Sequence, residues 1–159
     1  MATITLGVGD WAVSDNAEDV IKTYALGSCV AVMIFDTSKT IAGMAHIALP
    51  DSAVDPGKAK IQPGYFADVG VAVMIEEMKR RGATRAHVWV KLAGGAAVMD
   101  PKGVFDIGKR NVLAIKRALW RSSLGPIAED TGGTTSRTVT MSAADGTISL
   151  SAGPRQWTI

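Results

Sequence analysis

With one cysteine among 159 residues, Cys29, the chain cannot close a disulfide on itself. That excludes the small disulfide-stapled scaffolds and fits a reducing compartment. Histidine is nearly as scarce, with only His46 and His87. Two histidines and one cysteine form no zinc-ligand spacing, so neither a metal nor another cofactor is expected. The formal net charge is only +2, and the densest basic run is Lys79-Arg80-Arg81. At a helix end those side chains simply oppose the negative pole of the helix dipole, so nucleic acid is not an expected partner. No apolar run approaches the roughly 18 residues that would cross a bilayer, which argues against membrane insertion. The N-terminal residues lack a basic segment followed by an apolar one, so no signal peptide is expected and the cytoplasm is the default location. Repeats, low-complexity tracts and linkers are also missing. The length then suggests one domain over residues 1–159.

What is present is an ordinary globular balance, 47% hydrophobic and 20% charged. Short strands are predicted at Thr3 to Val8 and Trp11 to Val13. A further strand is predicted over Val20 to Leu26, with Ile21, Thr23 and Ala25 on one face and Lys22, Tyr24 and Leu26 on the other. Asp51 to Pro63 reads as a long loop, either a lid or guide beside an active site or a plain surface excursion. Gly64 to Arg81 is the clearest helix, with Phe66, Val69, Val73, Met74 and Met78 inward and Gly82 as its stop. Ala86 to Leu92 alternates as a strand carrying His87, whose bland reading as a half-exposed strand residue is favoured. Gly94-Gly95-Ala96 is a tight turn without nucleotide-binding spacing. A second long helix is predicted from Ile107 to Leu124, with Val112, Ile115, Leu119 and Trp120 inward. Ile127 to Glu129 reads as a brief strand. A hairpin then joins Arg137 to Ser142 with Thr147 to Ser151 around Asp145-Gly146. Trp157, in the tail, is a candidate for docking on the body or on a partner. The pattern as a whole is a mixed α/β (α+β) fold with a largely antiparallel sheet and two long helices.

The only cysteine lies between a strand and a hairpin. Two apolar runs, Val30 to Phe35 and Ile41 to Leu49, flank the polar loop Asp36 to Thr40. A turn centred between Thr37 and Ser38 puts Cys29 directly opposite His46 on one face, with Cβ atoms roughly 4.5–5.5 Å apart. A cysteine beside a histidine is the arrangement that activates a thiol. The bland alternative is a small buried hydrophobe near a satisfied core histidine. Gly27-Ser28 argues against it, because a turn-forming dipeptide sets Cys29 at the mouth of a strand and the glycine leaves room for a substrate.

The run Leu26-Gly27-Ser28-Cys29-Val30-Ala31-Val32, with Gly43-Met44-Ala45-His46-Ile47 and Leu49-Pro50, resembles the chemoreceptor glutamine deamidases, the CheD family. The likeness continues through Tyr65-Phe66-Ala67-Asp68, Lys91-Leu92-Ala93-Gly94-Gly95-Ala96, Ile107-Gly108-Lys109-Arg110-Asn111 and Glu129-Asp130-Thr131-Gly132-Gly133. It spans nearly the whole chain. In the family the glycine pair is followed by two variable residues and Gly-Arg. Here Thr134-Thr135-Ser136-Arg137 puts Ser136 in the glycine place, which bears on the local loop. The resemblance implies a layered sandwich of sheet and helices with a Cys-His-Thr site at the sheet edge: Cys29 as nucleophile, His46 as acid and base, and Thr23 as the group that orients the ring. It also implies the substrate, glutamines on the cytoplasmic helices of bacterial chemoreceptors, and a partner, a CheC-type phosphatase.

For that chemistry, Cys29 is expected to attack as a thiolate whose pKa a neighbouring imidazolium lowers. His46 would pass the proton to departing ammonia and then activate water. Backbone N–H groups around Ser28 to Val30 are candidates for the oxyanion pocket, and Gly27 and Ser28 for the oxyanion site and the approach to it. The rival reading is a binding module that engages receptors or phosphatase stoichiometrically, with Cys29 merely packed. A papain-like protease is weaker still, since its cysteine signature is absent.

Overall fold

The computed structural model describes residues 2–98, 100 and 102–159. The chain runs β1 (Thr3–Leu6), β2 (Trp11–Ser14), β3 (Val20–Leu26), β4 (Val30–Asp36), β5 (Ile41–Ile47), α1 (Pro56–Ile61), α2 (Ala67–Arg80), β6 (Val88–Gly94), α3 (Ile107–Arg121), β7 (Pro126–Thr131), β8 (Arg137–Ser142), β9 (Ile148–Ala152) and β10 (Arg155–Thr158). Its strands form two five-stranded sheets, ordered β1-β3-β8-β9-β10 and β2-β5-β4-β6-β7. Pairing is antiparallel except for β1 with β3 and β6 with β7. The second sheet is the middle layer, with α2 and α3 on one face and the first sheet on the other. This is the mixed, largely antiparallel α+β fold with two long helices that the sequence pattern indicates and the layered sandwich that the resemblance implies, with the strands divided between two sheets rather than gathered in one.

The middle position explains the uninterrupted apolar runs of β4 and β5, since a strand covered on both faces has no solvent side. Val30, Val32 and Ile34 of β4 pack into the helix-side core with Met74 of α2 and Ile115 of α3. Ala31, Met33 and Phe35 face the first sheet and meet Ile21, Val139 and Met141. Each fully buried Ile, Met or Val here contributes on the order of 1.5–3 kcal/mol. Asp36 closes β4 inside the protein, where its carboxylate accepts the N–H groups of Ser38, Lys39 and Thr84. Those hydrogen bonds hold its pKa below the usual range in spite of burial.

Several local expectations change. The hairpin turn centres between Ser38 and Lys39, one residue later than expected, so Ala31 rather than Cys29 faces His46. A backbone property of the turn sets that register, and an apolar run does not reveal it. In β3 the buried residues are Ile21, Thr23 and Leu26, while Ala25 is exposed at φ 51°. The bulge between Thr23 and Leu26 inserts one residue and reverses the inward parity. The segment Asp51 to Pro63 is not plain loop: it folds into a 3-10 turn at Ser52–Val54 and then α1. The inner face of α2 is Ala67, Gly70, Val71, Met74, Ile75 and Met78, with Val69 and Val73 only half-buried. His87 sits in a 3-10 turn before β6 and is exposed. Trp120, expected inward, is 79% exposed on α3. Trp157 does dock on the body, its indole Nε1–H donating to Asp130 Oδ2 at 2.7 Å.

Candidate active site

Thr23, Cys29 and His46 come together between the two sheets. His46 shares the parity of Ala42 and Met44, the β5 residues facing the first sheet. Cys29 is two residues before Ala31 and packs, half-buried, against the same inter-sheet cluster. Cys29 and His46 are therefore diagonal neighbours across the open end of the hairpin rather than a facing pair. Thr23 enters from the opposing sheet and is fully buried, on the same face of β3 as Ile21.

The hydroxyl of Thr23 fixes the imidazole tautomer. Its oxygen lies 2.7 Å from His46 Nδ1 and 2.8 Å from the carbonyl oxygen of Leu6. A carbonyl only accepts, so the single hydroxyl proton goes to Leu6 and Nδ1–H must donate to Thr23. Nε2 is then an unprotonated acceptor. It is buried with no hydrogen-bond partner among the described residues, the Cys29 thiol included. The backbone of His46 is clamped as well: its carbonyl accepts Gly9 N–H and its N–H donates to the Asp10 carbonyl, both at 2.9 Å. The end of β1 thus holds the ring through Leu6, and the loop after it holds the strand through Gly9 and Asp10.

Burial pushes the Cys29 thiol above its ordinary value. It pushes the His46 imidazole down, and the nearby Asp10 carboxylate opposes that change only in part. Both shifts favour the uncharged forms. That direction runs against the expected thiolate–imidazolium pair and favours a neutral pair, in which a thiolate forms as Nε2 takes the proton. Such contacts are often long before substrate binds and tighten in the complex.

The turn around Gly94-Gly95-Ala96 and helix α3 hold the cysteine loop. Gly95 N–H donates to the Cys29 carbonyl and Ala96 N–H to the Gly27 carbonyl, both at 2.8 Å. Gly94 has φ 111°, and a Cβ there would strike the Cys29 carbonyl oxygen. On the third side the Asn111 amide donates to the carbonyls of Ser28, at 2.9 Å, and Ala48, at 3.0 Å. Arg137 supports the same end by donating to the carbonyls of Gly94, Asp130 and Gly132. Ser136, in the place of the family glycine, has no positive φ, so the serine costs the backbone nothing. Beside Gly27 and Ser28 opens a cleft of about 740 Å³, bordered by Ala96, Phe105, Leu113, Lys116 and Thr131. Among the described residues no group of three or more His, Cys, Asp or Glu could hold a metal ion.

Sequence reasoning missed Leu6, Gly9, Asp10 and Asn111. The first three hold His46 or its partner through backbone atoms, which no residue type announces. Asn111 left one signal, since an asparagine inside a helix competes with the helix's own hydrogen bonds and calls for a specific partner.

The fold and these three side chains define a two-sheet α+β protein with a cysteine–histidine–threonine candidate site. Residues 48–152 match the family described as CheD chemotactic sensory transduction. The "Probable chemoreceptor glutamine deamidase CheD" of Syntrophotalea carbinolica is 46% identical over 162 residues, covering 100% of both chains. That of Solibacter usitatus is 43% identical over 98% of this chain and 92% of its own. The "Chemoreceptor glutamine deamidase CheD" of Thermotoga maritima is 43% identical over 84% of this chain and 82% of its own. This chain belongs to the CheD family. Among solved structures, the Bacillus licheniformis hypothetical protein YfiH is similar at TM-score 0.45 and 12% identity, over 77% of this chain and 49% of that one.

Proposed function

We propose that this protein is a cysteine-dependent amidohydrolase that converts glutamine side chains of bacterial chemoreceptors to glutamate. The observation that carries the reading is the Thr23–His46 contact, which leaves Nε2 as a buried, unprotonated base beside the only cysteine. His46 Nε2 takes the thiol proton as Sγ bonds to the amide carbon. The tetrahedral oxyanion collapses, the C–N bond breaks, and the proton goes from Nε2 to the departing ammonia. Water, deprotonated by the same nitrogen, then attacks the thioester and releases glutamate and the free thiol. Thr23 holds the ring in the tautomer this cycle needs. The names of the relatives supply the substrate class. The reading carries with it a cytoplasmic site of action and a CheC-type phosphatase as regulatory partner.

One observation favours the second reading, a binding module. Phe105 is 69% exposed and Val104 74% exposed near the cleft, and Trp120 lies bare on α3. Such side chains suit a protein contact, and the two roles are compatible in one chain.

Mass spectrometry of receptor cytoplasmic fragments incubated with purified protein tests both readings. Wild type is expected to raise glutamine masses to glutamate at specific sites. Cys29→Ala is expected to bind the fragment and leave it unconverted. Conversion by Cys29→Ala would sink the nucleophile assignment, and loss of binding with early melting would make Cys29 a packing residue.

A further inference from the structure

Asn111 is fully buried on α3, and its side chain reaches the site by hydrogen-bonding to backbone carbonyls. One amide group, Nδ2, donates to Ser28 just before the nucleophile and to Ala48 just after the strand of the base. It therefore ties the open end of the β4–β5 hairpin, where the strand ladder has ended. The two acceptors also settle which end of the side chain is nitrogen, because carbonyls cannot donate. The cost is plain: Oδ1 is left buried without a hydrogen-bond partner among the described residues. An apolar residue of the same size would avoid that penalty but would strip the Ser28 and Ala48 carbonyls of their donor, so what the asparagine secures is the orientation of those two peptide groups.

The peptide geometry supplies a reason. The described peptide bonds are all trans, so a carbonyl and the following N–H point in opposite directions. With the Ser28 carbonyl turned onto Asn111, the Cys29 N–H points away from it. That N–H has no partner among the described residues, although the carbonyls of Gly27 and Cys29 on either side are both taken by the Gly95-Ala96 turn. A fixed, unpaired N–H on the nucleophile's own residue is the donor that stabilises an oxyanion formed at its side chain.

We propose that Asn111 is a positioning residue: by holding the Ser28 and Ala48 carbonyls it fixes the Ser28–Cys29 peptide so that the Cys29 N–H receives the oxyanion of the tetrahedral intermediate. This rests on the reading of Cys29 as nucleophile, and its test is independent of any receptor. Two small probes separate the functions. Iodoacetamide alkylates the sulfur with loss of iodide and forms no oxyanion. 4-Nitrophenyl acetate acylates it through a tetrahedral oxyanion, forming the S–C bond and breaking the C–O bond to release nitrophenolate.

In Asn111→Leu the acylation rate is expected to fall roughly tenfold or more while alkylation stays within about threefold, because only acylation uses the oxyanion donor. Asn111→Ser, whose hydroxyl can reach one carbonyl at most, is expected to lie between Leu and wild type and carries the same readout if the leucine variant melts early. On receptor fragments, kcat should fall with KM nearly unchanged. Equal loss of acylation and alkylation would mean that Asn111 supports the fold only. An unchanged ratio would overturn the proposal while leaving the amidohydrolase reading intact. A wild-type Cys29 inert to both probes would overturn the nucleophile reading and this inference with it.

Discussion

At the residue scale, burial shifts Cys29 and His46 toward their uncharged forms, which gives the pair a pH signature with a definite sign. The His46 value in the folded protein is depressed below the ordinary 6.5. Its contribution to stability is therefore present above 6.5 and lost as pH falls through the folded value. The Cys29 value is raised above the ordinary 9.0. Its contribution is fully present below 9.0 and lost as pH rises through the folded value. Urea midpoints are thus expected to be highest between these limits, with the acid-side fall reduced in His46→Gln and the alkaline-side fall reduced in Cys29→Ala. The iodoacetamide rate at Cys29 should climb past pH 9 without a plateau near neutrality. At neutral pH it should drop in His46→Gln, because a base that accepts the thiol proton has been removed. A plateau near pH 6–7, in the range of an imidazole paired with a thiolate, would restore the ion pair and defeat the neutral assignment.

At the element scale, β3 is shaped by one residue in an unfavourable conformation. Ala25 sits at φ 51°, where a side chain costs on the order of 1–2 kcal/mol. Its N–H is held by the Thr138 hydroxyl at 3.1 Å, and the bulge brings Leu26 back into the inter-sheet core. Glycine relieves the strain but enlarges the unfolded ensemble, so Ala25→Gly is expected to gain only about 0.5–1 kcal/mol. Ala25→Val, β-branched, is expected to lose at least as much. The order Gly, Ala, Val in melting temperature checks it, and Val above Ala would show that the bulge relaxes. This bulge also marks where sequence reading stops. Alternation correctly puts Ile21 and Thr23 on one face, and fails at Leu26 because an inserted residue leaves no pattern of its own. The hairpin was legible for the same reason that its register was not: apolar runs specify strands, while turn geometry specifies which residues meet. A two-residue slip keeps side chains on the same face, which is why Cys29 and His46 still share a site. Trp120 shows the reverse limit, since an aromatic at the end of a helical stripe reads as core whether or not a neighbour covers it.

At the scale of the whole molecule, the site depends on how the two sheets are fastened at one end. Thr23 belongs to one sheet, and Cys29 and His46 lie on the other, so sliding of the sheets would separate the ring from its hydroxyl. Arg137 is the fastening. It lies on β8, opposite Leu26, and its buried guanidinium reaches across to the ends of β6 and β7. There it donates to the carbonyls of Gly94, at 3.0 Å, of Asp130, at 2.7 Å, and of Gly132, and it pairs with the Asp130 carboxylate at 3.4 Å. Gly94 is the residue before the N–H that holds the Cys29 carbonyl, so the same cation that joins the sheets also seats the Cys29 loop. Arg137→Met removes the donors and leaves carbonyls unsatisfied, with an expected loss of about 2–4 kcal/mol, below the upper range for a broken buried pair because Asp130 can still reach water. In a chain of this size that is roughly 4–16 °C in Tm. Arg137→Lys keeps the charge but not the planar fork, and is expected to recover less than half of the loss. Trp157→Phe, which removes one hydrogen bond to the same Asp130, should cost only about 1 kcal/mol. If Arg137 acts as the fastening, acylation of Cys29 by 4-nitrophenyl acetate should fall in Arg137→Lys below the temperature where unfolding begins. It should be unchanged in Trp157→Phe at matched stability. Equal rates in both variants would mean that the two sheets hold their alignment through the apolar core alone.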